Sequence, residues 1–131
     1  MSSQNLSDIN WEGKTVLVTE DEEINYLFIN AILSSANATV VHSWNGKQAV
    51  DYIKENNAVD LILMDIKMPI MDGFTATKII KTLQPSLPII AQTAYTLSDD
   101  REKCMDVGCV AYITKPIRKN ELLSVIAEHI D

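Results

Sequence analysis

The sequence predicts an α/β domain with helices on both faces of a parallel sheet. Short β-branched runs alternate five times with stretches of helical periodicity. The third run, residues 59–64, is apolar almost throughout, as a strand covered on both faces requires. No internal linker or low-complexity segment interrupts the alternation.

Element by element, Thr15–Thr19 is a first strand, ended by Glu20 and Asp21. Ile24, Leu27, Phe28, Ala31 and Ile32 then recur at helical spacing and predict one apolar stripe up to about Ser35. Residues 39–42 form the second strand, and Asn45 can cap a helix that carries Ala49, Val50 and Ile53. After the third strand, residues 75–83 read as helix, with Pro85 and Pro88 marking the exit. Residues 88–92 are the fourth strand. The next helix has Ser98 as its cap and Gly108 at its C-terminal end. Residues 110–114 form the fifth strand, and residues 120–130 the last helix, with Leu122, Leu123, Ile126 and Ile130 toward the sheet.

Composition narrows the class. The 131 residues suffice for one domain and one sizeable core. Apolar residues at 47% and charged residues at 22% are ordinary for a soluble protein. No apolar run approaches the roughly 18 residues needed to span a bilayer, so no membrane contact is expected. The start, MSSQNLSDIN, is not a secretory signal, and residues 1–10 are expected to be a flexible tail before a domain over 11–131. Cys104 and Cys109 lack the second pair a zinc site needs, so reduced, packed thiols and a cytoplasmic setting are expected. The net charge of −7 argues against a nucleic-acid surface.

In an open parallel sheet, ligands bind beyond the carboxyl ends of the strands. The strand-ending residues are therefore the informative ones: Glu20 and Asp21, Asp65, Thr93, and Lys115 before Pro116. Three carboxylates on one rim are costly unless positive charge sits among them. Oxygen ligands without soft donors suit Mg²⁺ (or Mn²⁺), which commonly takes one or two carboxylates plus water and phosphate oxygens. The rim therefore reads as a site for a divalent cation and a phosphoryl group, with Lys115 as the second positive charge.

Glu20-Asp21, Asp65 within MDIKMPIMDG, Thr93-Ala94 and Lys115-Pro116 together resemble the receiver domain of two-component response regulators, over about residues 14–130. The resemblance implies a flavodoxin-like fold with strand order 2-1-3-4-5. It implies that Asp65 accepts a phosphoryl group from a phosphohistidine, on a histidine kinase or a histidine phosphotransfer domain. Asp21, Asp65 and the backbone carbonyl of Lys67 would bind the cation, and Glu20 would hold a metal-bound water or the ion itself. Thr93 and Ala94 would bind the phosphoryl group, and Tyr112 matches the family's switch aromatic on a helix 4–strand 5–helix 5 output face. A cis Lys115–Pro116 bond and a monomer that can dimerise on phosphorylation are also implied. Lys67 and Tyr95, two residues after Asp65 and Thr93, border the approach of a hydrolytic water and are expected to slow loss of the phosphoryl group.

The chemistry agrees with each residue type. A carboxylate suffices as nucleophile toward a phosphoramidate once the phosphoryl charge is neutralised. Asp65 is expected to be ionised at neutral pH, so no general base is needed. His42, Trp11 and Trp44 are expected to pack, as are Met68, Met71 and Met105; His129 suits a helix C-terminus. A haloacid-dehalogenase-type phosphatase would need an acid where Lys67 stands. A flavodoxin-type electron carrier would need a glycine-rich phosphate loop where Glu20 to Glu23 stand, and a degenerate receiver would lack part of the set. The isolated domain is therefore not expected to be an enzyme. The sequence stops at Asp131 just past the last helix, so no output domain is expected after it. EDEEINYLF and TAYTLSDDREKCMDVGCVAYITKPI resemble receivers of hybrid histidine kinases; a free-standing regulator is the alternative.

Overall fold

A computed structural model describes residues 6–56, 58–94 and 98–130. The strands are β1 (Thr15–Thr19), β2 (Thr39–Ser43), β3 (Leu61–Asp65), β4 (Ile89–Thr93) and β5 (Ala111–Thr114). The helices are α1 (Glu23–Ser35), α2 (Gly46–Glu55), α3 (Gly73–Leu83), α4 (Ser98–Asp106) and α5 (Lys119–His129). All pairings are parallel, in the order β2-β1-β3-β4-β5. The flavodoxin-like expectation holds. Among the described residues, no helix is long and apolar enough to cross a membrane.

Every residue of β3 is buried, and its side chains alternate between two cores. Leu61 and Leu63 pack with Ile29, Leu33, Leu122 and Ile126 on the α1/α5 face. Ile62 and Met64 pack with Val50, Ile53, Ala76 and Ile80 on the opposite face. Asn45 caps α2 by accepting from the Gln48 amide at 2.9 Å. Asp72 caps α3 by accepting from the Thr75 amide at 2.8 Å, which starts that helix at Gly73, two residues earlier than periodicity alone indicates.

Two expectations are corrected. The apolar stripe of α1 does not face the sheet as a whole: Ile24, Leu27 and Phe28 are 84%, 54% and 45% exposed, and the buried face is Ile29, Ile32 and Leu33. Two apolar sets share this helix, and the sheet takes the one that continues into Ala36 and Ala38. Residues 6–10 are not simply a tail. Leu6–Asp8 form a 3-10 turn, and Ile9 is buried with Trp11 in the α1/α5 core. Trp11 is buried as expected, whereas Met105 is half exposed.

The turn after β3 brings α3 hard against the strand end. A Cβ on Gly73 would lie 2.3 Å from the Asp65 carbonyl oxygen, so this position takes glycine for close approach. Gly73 N also donates to the Ile66 carbonyl at 2.8 Å, which fixes the chain just beyond Asp65.

Candidate functional site

The register of the sheet places the strand ends side by side, so residues far apart in sequence meet on one rim. Glu20 follows β1 and is fully buried. Its Oε1 accepts from Asn25 Nδ2 at 2.5 Å, and its Oε2 from the Glu22 amide at 3.1 Å. Asp65 closes β3 and is 3% exposed. Carboxylate oxygens of Glu20, Asp21 and Asp65 lie within 4.8 Å of one another. Lys115, one residue beyond β5, donates from Nζ to Asp65 Oδ2 at 2.9 Å and sits 3.5 Å from Glu20 Oε1.

Thr93 closes β4, buried, and its carbonyl accepts from the Lys115 amide at 2.8 Å. Ala94 is exposed next to it. Lys67 is exposed, and its amide donates to Asp65 Oδ1 at 3.3 Å. A cleft of ≈ 270 Å³ is bordered by Asp21, Asp65, Lys67, Thr93, Ala94 and Lys115. The Lys115–Pro116 bond is cis. Tyr112 stands apart from this group. Its hydroxyl accepts from Arg101 Nη1 at 2.8 Å, and the guanidinium lies 5.7 Å from the ring centroid, so the side chain is tied to α4. Tyr95 and the following Thr96 and Leu97, placed by the sequence near Thr93, lie outside the described residues.

Electrostatics set the chemical state of the site. Burial, and then the charge of Glu20, push the Asp65 carboxyl up to about 7 against the opposing pull of Lys115. The expectation of a fully ionised Asp65 at neutral pH is corrected for the cation-free protein: one ammonium does not balance this much buried acid. Burial pulls the Lys115 ammonium down, but its bond to Asp65 and the charges of Asp65, Glu20 and Glu22 outweigh that and raise it. Lys115 is therefore positive at neutral pH. An all-oxygen donor set with an excess of buried negative charge fits a hard divalent cation.

Two polar residues beside the rim, half-buried Asn25 and buried Gln92, escaped the sequence reading. Asn25 Nδ2, already bonded to Glu20, also lies 3.4 Å from Gln92 Oε1. Gln92 is fully buried, and its Nε2 has no hydrogen-bond partner among the described residues. A lone amide within the apolar run IIAQT, just before Thr93, was the available sign.

The raised Asp65 value has a consequence for stability. The acid binds its proton more tightly folded than unfolded, so its folding penalty is absent below its ordinary value of 3.8 and complete above about 7. Wild-type stability should fall across that window as pH rises. Asp65→Asn should melt about 5 °C higher than wild type at pH 8, with the gain shrinking toward zero near pH 4. Superimposable melting curves at pH 8 would contradict a buried, uncompensated charge.

Comparison with known proteins agrees with this arrangement. The profile of the response regulator receiver domain matches residues 16–127. The polar-differentiation response regulator DivK of Brucella anthropi is 33% identical, over 89% of this chain and 96% of DivK. Hybrid signal transduction histidine kinase I of Dictyostelium discoideum is 38% identical over 88% of this chain, which spans 7% of that kinase. Among solved structures, the receiver domain of a sensor histidine kinase from Pseudomonas aeruginosa superposes with a TM-score of 0.84 at 36% identity, covering 90% of this chain and 98% of that one. That structure has a magnesium ion coordinated in its active-site cleft. A co-crystal structure of the Saccharomyces cerevisiae histidine phosphotransfer protein Ypd1 with the receiver domain of Ssk1 gives a TM-score of 0.84 at 28% identity, covering 91% and 90%.

Proposed function

We propose, from the premise that this chain belongs to the response regulator receiver domain family, that Asp65 is the phosphoacceptor of a histidine-to-aspartate relay. The observation that carries this reading is the convergence of Glu20, Asp21, Thr93 and Lys115 on one buried carboxylate. Asp21, Asp65 and the Lys67 carbonyl would hold Mg²⁺, with Glu20 holding a metal-bound water or the ion itself. The cation, when bound, neutralises the carboxylates and the phosphoryl oxygens. An Asp65 oxygen attacks phosphorus as the nitrogen–phosphorus bond of the partner's phosphohistidine breaks, and the imidazole leaves with the bonding pair. Lys115 turns its ammonium from Asp65 to a phosphoryl oxygen, and the Thr93 hydroxyl and Ala94 amide donate to the others.

A turn of the Thr93 hydroxyl toward the phosphoryl group would supply the output. Tyr112 lies two residues before Thr114, the β5 partner of Thr93, and its bond to Arg101 couples it to α4. Phosphorylation then shifts a pre-existing equilibrium of the α4–β5–α5 face. The hybrid-kinase reading is supported by the match to the Dictyostelium enzyme, and the free-standing alternative by DivK. With acetyl phosphate and Mg²⁺ the protein should gain one phosphoryl group in a cytoplasm-like buffer. Asp65→Asn should abolish this, and Asp21→Asn should raise the Mg²⁺ requirement about tenfold. Normal labelling of Asp65→Asn would sink the assignment.

A histidine phosphotransfer partner needs a foothold beside the cleft, and the outer face of α1 supplies it. Ile24 and Phe28 border a groove of ≈ 780 Å³ with Pro116 and Ile117. Glu22 lines both this groove and the cleft, so a partner seated here reaches Asp65 directly. Phe28→Asp should slow transfer from a phosphorylated histidine phosphotransfer domain about tenfold while leaving acetyl phosphate labelling intact. Equal losses in both assays would place Phe28 in the fold rather than the interface.

Loss of the phosphoryl group needs a water in line with the Asp65–phosphorus bond. Lys67 and Tyr95 offer no carboxylate or amide to orient it, which favours slow hydrolysis and suits a relay. Lys67→Asn with Tyr95→Glu should shorten the lifetime of the phosphorylated protein, followed by decay of the radiolabel. A double mutant that decays no faster than wild type would remove both residues from this role.

A further inference from the structure

Where β1 leaves the sheet, Glu20 is tied to the edge strand twice. Its amide donates to the Ser43 carbonyl at 3.0 Å, and its own carbonyl lies 2.9 Å from His42 Nε2. In a parallel ladder that carbonyl would take the amide two residues beyond Ser43. The chain has by then turned into α2 with Asn45 as its cap, and the imidazole fills the place. A carbonyl only accepts, so Nε2 carries the proton of this bond whatever the charge of the ring.

The ring is held for that task. Tyr26 of α1 stacks on it with centroids 3.6 Å apart and planes within 4°. Trp44 lies against it at 4.2 Å, tilted by 45°. An imidazole fixed in this way cannot swing without breaking both contacts. The peptide between Glu20 and Asp21 is planar, so fixing the Glu20 oxygen also fixes the Asp21 nitrogen and Cα. That is the point from which the Asp21 carboxylate projects into the rim.

We infer that His42 is a positioning residue for the divalent cation. Its hydrogen bond holds the Glu20–Asp21 peptide so that both carboxylates are aimed before the ion arrives. The inference rests on the reading of this rim as a cation site. Groups that hold a metal-binding side chain in place typically contribute ten- to hundredfold in affinity. Acting through one peptide, His42 should contribute at the low end.

The test is Mg²⁺ binding to the whole chain by calorimetry, with melting curves recorded alongside. His42→Phe keeps the stack and removes the donor; His42→Gln keeps an amide N–H near the Nε2 position and removes the stack. We expect His42→Phe to weaken Mg²⁺ about tenfold with the amide resonance of Asp21 shifted in the cation-free protein. His42→Gln should stay within about threefold of wild type, even if it melts lower. If the phenylalanine cannot be seated and the protein fails to fold, His42→Leu against His42→Gln reads the same contrast. Wild-type affinity in the donorless variant, or equal losses in both variants, overturns the inference. No Mg²⁺ binding by wild type overturns instead the reading of the site on which it rests.

Discussion

Buried negative charge at the carboxyl edge of the sheet is the constraint from which the rest of the site follows. Glu20 and Asp65 are held at the ends of neighbouring strands by the β1–β3 register, and neither can retreat into water. In the cation-free protein Lys115 answers both at once, and its single charge leaves Asp65 poised near neutrality. A second cation would complete the neutralisation and make Asp65 a full carboxylate at physiological pH. On the proposed reading, dependence on a divalent ion would be a property of how the acids are packed, and Asp65 would be weakest as a nucleophile when the site is incomplete. The same packing costs stability, which is tolerable because the two cores on either side of β3 are extensive.

The fold was legible because its evidence is local. Five short strands alternate with helices, and Asn45 and Gly108 mark boundaries that propensity alone can find. The rim was legible because parallel sheets put strand ends together, so listing the residues that end each strand lists the site. The orientation of α1 was not. Its sequence carries apolar residues on two sides, and periodicity cannot say which side meets the sheet when the other stays exposed. His42 was read as packing within β2; its hydrogen bond to the Glu20 carbonyl depends on a register that no local pattern encodes. The contact between Asn25 and Gln92 was hidden for the same reason, since 67 residues separate them.

The β3–α3 turn shows how a sequence motif can be read too narrowly. MPIMDG reads as a loop, yet each part is bound to the site's geometry. Ile70 adopts a φ of 71°, unusual for a β-branched residue, and is left exposed. Asp72 caps α3, and Gly73 admits the Asp65 carbonyl where any side chain would collide. A second glycine, Gly46, meets the same turn from α2, where its amide donates to the Met71 carbonyl at 3.1 Å and a Cβ would lie 2.5 Å from that oxygen. Asp65 is therefore positioned by the turn's backbone contacts with two helices as well as by its own strand, and as the proposed nucleophile it would lose little entropy on reaching a phosphoryl group.

Separation of input from output follows from the sheet order. β3 is central, with β1 leading to α1 on one side, and β4 and β5 on the other leading to α4 and α5. On the proposed reading, a partner on the outer face of α1 would meet the cleft through Glu22, while Tyr112 is tied to α4 through Arg101. The Lys115 amide bound to the Thr93 carbonyl joins the ends of β4 and β5, so a pull on the Lys115 ammonium is felt at both strands. In the proposed relay, delivery and readout would then use different surfaces at the same time. The phosphoryl group would be the element they share, because it would replace the Asp65 carboxylate as the partner of Lys115.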